Sequence, residues 1–207
     1  MFYFVSTPWL LKQAYKGCIW DIKTDQNNIY LTFDDGPHPD ITSFVLDELK
    51  KYNAKATFFC IGKNVAAFPD IYKKILDEGH TAGNHTFNHL NGWRSGDEEY
   101  ENDIIKAKEI IDSNLFRPPY GRITRFQLQL LKGKRLAMKT IMWSVLSGDF
   151  DTSISNETCY LNVVNNSAAG SIVVFHDSEK AFPRMEYALP RVLKYYSDKG
   201  YSFKALN

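Results

Sequence analysis

The 207-residue sequence has few cysteines, no excess of one charge and no long apolar run, and each shortage excludes a class of protein. Lys and Arg number 25 against 24 Asp and Glu, giving a net charge of +1, whereas nucleic-acid-binding domains carry a strong basic excess. The three cysteines form no C-x-x-C pair, which argues against a disulfide framework or structural zinc site. We therefore expect no nucleic-acid partner, and no membrane span because no apolar stretch reaches ~18 residues.

The N-terminal segment lacks the features of an export signal. Residues 2–11 are mostly apolar, but no Lys or Arg precedes them, Lys12 follows at once and no small-residue cleavage site comes after. The sequence therefore predicts a cytoplasmic, monomeric chain. Residues 1–28 are expected to form an arm packed on one catalytic domain of residues 29–207, a normal size for a single domain.

Short apolar segments alternate with longer amphipathic ones, a pattern typical of an α/β fold with a mainly parallel sheet. The predicted strands are residues 29–33, 55–61, 81–85, 139–145, 171–175 and 201–204. The predicted helices are residues 41–52, 68–79, 97–113, 124–132, 157–166 and 183–199. In such folds the chemistry collects at the carboxyl ends of the strands.

Polar residues that are costly to place without a reason follow several of these strands. They are Asp34, Asp35, His85, Arg117, Asp149 and His176. Each alone has an ordinary explanation: Asp-Asp-Gly favours a turn, and a histidine after an apolar strand is commonly a buried, hydrogen-bonded one. The spacing of His85 and His89 places two imidazoles on the same face of a helical turn, which suits one metal ion.

Taken together, the polar residues favour a metal-assisted hydrolase. Two histidines and one carboxylate leave open positions on a metal, as catalytic rather than structural sites do. A second carboxylate, a further histidine and an arginine would complete a base, an acid and a positive group.

Five segments follow one another in an order found in a known family. Three are complete motifs, Thr32-Phe33-Asp34-Asp35-Gly36-Pro37, His85-Thr86-Phe87-Asn88-His89 and Arg117-Pro118-Pro119-Tyr120-Gly121. Two are looser: Asp149-Phe150 stands for Asp-Trp, and Val174-Phe175-His176 stands for Leu-x-His. From residue 29 to residue 206 the chain thus resembles the polysaccharide deacetylases of carbohydrate esterase family four, the NodB-homology domain.

The resemblance implies a distorted (β/α) barrel of about seven to eight βα units in a single domain. It also implies a metal-dependent hydrolase that removes the N-acetyl group from N-acetylhexosamine units, so an acetylated glycan is the expected partner. By the same resemblance Asp35, His85 and His89 hold a divalent metal. Zn²⁺ is expected first, and Co²⁺, Ni²⁺ or Fe²⁺ also suit this ligand set.

The resemblance assigns acid–base roles to two pairs of residues. Asp34 is the general base for a metal-activated water, and Arg117 keeps it ionised and oriented. His176 is the general acid that protonates the departing amine, and Asp149 raises the pKa of His176 so that it serves near neutral pH.

Substrate contacts follow from the same resemblance. The backbone N–H of Tyr120 stabilises the oxyanion, while Phe150 and Val174 form an apolar wall for the acetyl methyl. Leu146 stands where the family often has an earlier Asp, which removes a polar group from this position.

Two alternatives stay open at the level of sequence. One is an O-acetyl sugar esterase of the xylan type with the same site, and the other is a non-catalytic sugar-binding module, against which the complete set of ligands, acid and base argues. Trp93, Tyr120 and Phe182 are candidates for a sugar platform, although each also suits packing.

Overall fold

Buried strands alternate with amphipathic helices in the computed structural model, which describes residues 3–207. The strands are β1 (Asn28–Asp34), β2 (Thr57–Cys60), β3 (Thr81–Asn84), β4 (Leu115–Phe116), β5 (Lys139–Thr140), β6 (Val145–Leu146), β7 (Ile172–His176) and β8 (Ser202–Phe203). The helices are α1 (Trp9–Ala14), α2 (Ile41–Lys51), α3 (Gly62–Ala67), α4 (Pro69–Asp77), α5 (Asp97–Lys108), α6 (Arg125–Lys132), α7 (Asn156–Val164) and α8 (Phe182–Asp198). A single 3₁₀ turn, Pro119–Gly121, follows β4.

The strands form one curled, parallel sheet. Their order is β5-β4-β3-β2-β1-β7-β6, and β8 pairs with the first residues of β1. Every pairing along this path is parallel, so the carboxyl ends of the strands lie at the same rim. The predicted distorted barrel is confirmed.

The alternation of side chains along β1 separates the core from the barrel interior. Leu31 and Phe33 are fully buried in the core shared with α2 and α8, where the Phe33 ring stacks on Phe58 with centroids 5.0 Å apart. Because successive residues of a strand point to opposite faces, Thr32 and Asp34 point to the other side. β1 therefore presents a carboxylate inside the barrel, at the carboxyl rim.

One predicted strand is interrupted. Residues 139–145 were expected to be continuous, but the structure has β5 and β6 with an irregular connection between them. In that connection the carbonyl groups of Ile141 and Met142 accept hydrogen bonds from the Arg117 guanidinium, at 3.3 and 2.9 Å. The chain bends there because these carbonyls solvate a buried charge. The predicted helix 97–113 is also shorter and ends at Lys108.

Residues 3–7 belong to the predicted N-terminal arm and lie along the free edge of β6. From here on, the word arm refers to residues 3–7 alone. The Leu146 N–H donates to the Val5 carbonyl at 2.8 Å, and the Thr7 N–H donates to the Ser144 carbonyl at 2.9 Å. The arm leads into α1, a short helix that the sequence patterns did not predict. Among residues 3–207, every helix is too short or too polar to cross a bilayer. The domain boundary at residue 28 stays a prediction.

Candidate active site

The polar residues predicted from the strand ends converge at the carboxyl rim of the sheet. Asp34 at the end of β1 is the direct neighbour of His176 at the end of β7. His85 follows β3, and Arg117 follows β4 on the next strand of the sheet. The structure therefore brings the predicted residues together at one rim, and their roles stay predictions.

Asp34 and Arg117 form a buried ion pair. Arg117 is fully buried, and its Nη1 donates to Asp34 Oδ1 and to Thr32 Oγ1, both at 2.7 Å. The guanidinium also lies 4.1 Å above the Phe59 ring centroid. Nε and Nη2 also donate to carbonyls of the β5–β6 connection, so these bonds offset much of the cost of burying the charge. The pair fixes the Asp34 carboxylate in one orientation.

Asp35, His85 and His89 bring three potential metal ligands within 4.8 Å of one another. Asp35 Oδ1 lies 3.2 Å from His89 Nε2 and 3.7 Å from His85 Nε2. The other ring nitrogen of His85 donates to the Arg117 carbonyl at 2.7 Å, which leaves Nε2 free to bind a cation. Two imidazoles and one carboxylate form the donor set of a catalytic divalent-metal site.

The protonation states of this cluster suit a cation. Burial lowers the pKa of His85 to about 4, so its imidazole is neutral at physiological pH. Burial alone would raise the pKa of Asp35, but a hydrogen bond with His89 and the charge of His176 hold it below its usual range. A neutral imidazole and an ionised carboxylate are the forms that bind metals.

The backbone between the two histidines differs from the prediction. The structure has no helical turn at residues 85–89 but an irregular loop, in which Thr86 and His89 adopt left-handed backbone angles with φ of 62° and 59°. The prediction of a helical turn is wrong, although the two imidazoles still meet, with ring centroids 5.2 Å apart.

Side chains that the sequence patterns did not single out stabilise this loop. Asp103 on α5 accepts hydrogen bonds from the N–H groups of Phe87 and Asn88, at 2.8 and 2.9 Å. Asn84 Oδ1 accepts from the Thr86 N–H at 2.8 Å. Because left-handed residues cannot continue a helix or strand, one local acceptor, Asn84, and one distant acceptor, Asp103, replace the missing regular backbone bonds.

His176 and Asp149 form the second buried pair. The carboxylate of Asp149 accepts from His176 Nδ1 at 2.8 Å and from the His176 backbone N–H at 2.6 Å. Burial opposes a charged imidazole, but Asp149 outweighs it and raises the pKa of His176 to about 10. His176 is therefore protonated at neutral pH and able to donate a proton.

The predicted substrate contacts lie at different depths. The Tyr120 side chain is 57% exposed, its ring is 4.6 Å from the His89 ring, and its backbone φ is 61°. Phe150 packs edge-on against His176 with centroids 5.3 Å apart. Val174 is buried on the same face of β7 as His176, two residues earlier in the strand. Their roles toward substrate stay predictions.

Asp177 is a buried residue at the rim that the predicted site did not include. Its carboxylate accepts from the Gly36 N–H at 2.9 Å and from the Thr42 hydroxyl at 2.5 Å, so it ties the end of β7 to the loop after β1. Burial raises the pKa of Asp177 to about 7. Its position beside His176, directly after an apolar strand, was the available sequence signal.

The three candidate platform aromatics divide into two groups. Trp93 is 60% exposed, and it lines a cavity of about 180 Å³ together with Tyr120. Phe182 instead packs on the core and meets Phe44 edge-on, with centroids 5.5 Å apart. Only Trp93 and Tyr120 of the three therefore remain available to a sugar.

Comparison with known proteins agrees with the motifs. The family model for polysaccharide deacetylase matches residues 21–138. A peptidoglycan-N-acetylglucosamine deacetylase of Bacillus cereus is 36% identical over 205 residues, covering 96% of this chain and 72% of the relative. A chitooligosaccharide deacetylase of Azorhizobium caulinodans is 34% identical over 163 residues, covering 75% of this chain and 76% of the relative.

A solved structure shares the fold over nearly the whole chain. The crystal structure of a peptidoglycan N-acetylglucosamine deacetylase superposes with a TM-score of 0.87 at 34% identity, covering 97% of this chain and 95% of the other. The described geometry, the family match and these relatives agree with one another. The chain therefore belongs to the polysaccharide deacetylase family and is a hydrolase that deacetylates carbohydrates.

Proposed function

We propose that this chain removes the N-acetyl group from N-acetylglucosamine units of a cell-wall or chitin-like glycan. The observation that carries the proposal is the direct pairing of Asp34 and His176 on neighbouring strands, beside the cluster of Asp35, His85 and His89. The Asp34 carboxylate, held by Arg117, and a protonated imidazole thus face the same reaction centre. Amide hydrolysis needs both, one to accept and one to donate a proton.

Asp35, His85 and His89 hold the divalent metal in this proposal, and Zn²⁺ is the ion that best matches their donor atoms. When bound, such an ion supplies Lewis acidity that lowers the pKa of a water molecule and polarises the acetyl carbonyl. The chain supplies the fixed geometry, because the His85 bond to the Arg117 carbonyl orients that imidazole toward Asp35.

Asp34 accepts the proton of the attacking water. Its carboxylate is held on one side by Arg117, which leaves the remaining oxygen positions for the water. Since Arg117 is buried and bonded to several backbone carbonyls, it cannot swing away, and Asp34 stays in one orientation through the reaction.

His176 donates the proton that the leaving amine requires. An amine anion is a very poor leaving group, so protonation of the sugar nitrogen must accompany cleavage of the C–N bond. Asp149 holds His176 through Nδ1, which directs the other ring nitrogen to the reaction centre. The left-handed backbone at Tyr120 supports the proposed use of its N–H as an oxyanion donor.

Peptidoglycan and chitin oligomers are the proposed substrate class, because relatives at 36% and 34% identity are deacetylases of those glycans. The exposed rings of Trp93 and Tyr120 support this choice, since aromatic faces pack on the apolar faces of sugar rings.

A glycan panel tests the proposal. Purified protein is incubated with peptidoglycan fragments, chitooligosaccharides and acetylated xylan, with and without a chelator, and loss of acetyl groups is followed by mass spectrometry. We expect removal of N-acetyl groups from the first two substrates and none with the chelator. Faster release from acetylated xylan than from either N-acetylated glycan would assign the chain to the O-acetyl esterases instead.

A further inference from the structure

The arm contacts the loop that carries Asp149, the hydrogen-bond partner of His176. It pairs with β6, and the chain runs from β6 directly into residues 147–151, which include Asp149 and Phe150. Tyr3, at the start of the arm, lies over this loop rather than over solvent, since a Cβ atom built on Gly148 would come within 2.8 Å of the Tyr3 hydroxyl oxygen.

Tyr3 contacts the loop on both sides of Asp149. Its ring meets the Phe150 ring edge-on, with centroids 5.1 Å apart, and Phe150 in turn meets the His176 ring edge-on at 5.3 Å. Its hydroxyl oxygen lies against the Gly148 backbone, on the other side of Asp149. One side chain thus contacts the residues on either side of Asp149, Gly148 and Phe150.

These contacts affect the orientation of His176, the proposed general acid, because the loop binds His176 through a single carboxylate, that of Asp149. Asp149 makes both hydrogen bonds to His176, at 2.6 and 2.8 Å, so a shift of the loop moves the imidazole with it. Edge-to-face aromatic pairs are directional, and the close approach of the hydroxyl to Gly148 adds a second point of contact. Burial and Asp151 raise the pKa of Tyr3 to about 12, so its hydroxyl keeps its proton as a donor.

We propose that Tyr3 is a positioning residue for the general acid, acting through Phe150 and Asp149 on the orientation of His176. The inference rests on the proposed function, since it presumes that His176 protonates the leaving amine. It gives the N-terminal segment a part in the reaction, beyond covering the edge of β6.

The test compares two reactions, one that needs the general acid and one that does not. Amide cleavage of an N-acetylated chitooligosaccharide requires protonation of the leaving group, whereas 4-nitrophenyl acetate releases a stable anion without it. We expect Tyr3→Leu to lower kcat on the amide about tenfold or more. Its KM, and its turnover of the nitrophenyl ester, should change less than about twofold. In a His176→Ala background, Tyr3→Leu should cause no further loss on the amide.

Two variants complete the design. Tyr3→Phe keeps the ring contact with Phe150 but removes the hydroxyl beside Gly148, so its loss on the amide should be smaller. It carries the same comparison if Tyr3→Leu does not fold. Leu10→Ala, at an exposed position of α1, should match the unaltered chain on both substrates.

Equal losses on amide and ester, or a further loss in the His176→Ala background, would assign Tyr3 a purely structural role and overturn the inference. An unaltered amide rate in Tyr3→Leu would overturn it as well. The proposed function fails separately, if the unaltered chain itself does not cleave the amide.

Discussion

Arg117 orients two groups of the proposed site, one through its side chain and one through its backbone carbonyl. Its guanidinium binds Asp34, and its backbone carbonyl accepts from His85, so one residue orients the proposed base and one proposed metal ligand. Because the charge is fully buried, its contribution to stability depends on the whole hydrogen-bond network and not on the ion pair with Asp34 alone.

Replacing this arginine should cost stability as well as activity. Arg117→Met leaves Asp34 buried without its counter-ion, and removing one partner of such a pair typically costs about 3–5 kcal/mol. We expect a lower free energy of unfolding in urea and loss of deacetylation. Arg135→Met, which removes an arginine with an exposed side chain, serves as the control and should leave both unchanged. Unchanged stability in Arg117→Met would contradict the proposed network.

The pH dependence of the reaction should report the Asp149–His176 pair. Asp149 raises the pKa of His176, so the acid stays protonated into the alkaline range. Asp149→Asn removes the negative charge, lowers that pKa and should move the alkaline limb of the kcat profile to lower pH. The acidic limb, which reports other groups, should stay in place. A profile identical to that of the unaltered chain would exclude His176 as the acid.

At the scale of elements, the loop after β1 is held in place from the neighbouring strand end. Asp177 accepts from Gly36 and Thr42, and it lies so close that a Cβ atom on Gly36 would come within 2.0 Å of the Asp177 carboxylate. Glycine is therefore required at residue 36 for steric reasons, directly after the proposed base and metal ligand.

The buried carboxyl of Asp177 should make stability pH-dependent. Its pKa is about 7 in the folded chain against 3.8 for the unperturbed group, so the native state binds the proton more tightly. The contribution of Asp177 to the free energy of unfolding is then greatest below pH 3.8 and falls as pH rises to about 7, by at most about 1.4 kcal/mol per pH unit.

Urea titrations of the metal-free protein across this range measure the effect. We expect the difference between the unaltered chain and Asp177→Asn to change with pH between about 4 and 7 and to be flat above. A difference independent of pH would show that the carboxyl titrates normally.

Sequence patterns predicted these elements unevenly, for physical reasons. Helices such as α2 and strands such as β1 have regular apolar spacing, so their positions were predictable. The loop at residues 85–89 and the break between β5 and β6 were not, because their backbone is stabilised by distant groups, Asp103 and Arg117. The motifs indicated which residues meet at the rim, whereas the contacts of Tyr3 with Phe150 and of Asp177 with Gly36 join segments far apart in the chain, and local spacing does not encode such contacts.

At the scale of the whole molecule, the proposed metal ligands Asp35, His85 and His89 connect the segments after β1 and β3. A ligand that binds only the folded state stabilises it by mass action, by about 2.7 kcal/mol at 100 times its dissociation constant. We therefore expect Zn²⁺ to raise the Tm of the chelator-treated protein, measured by calorimetry. The shift should vanish in His85→Ala and persist in His38→Gln, a histidine outside the cluster. An equal shift in His85→Ala would place the ion elsewhere.

The central claim is that one cluster binds the metal while a separate carboxylate accepts the proton. It is tested most directly by measuring bound metal and released acetate in the same preparations of the unaltered chain, Asp34→Asn and His85→Ala, with an N-acetylated chitooligosaccharide as substrate. We predict that Asp34→Asn retains about one ion per chain but releases acetate orders of magnitude more slowly, and that His85→Ala loses both the ion and the activity. Acetate release by His85→Ala at the rate of the unaltered chain would contradict the account.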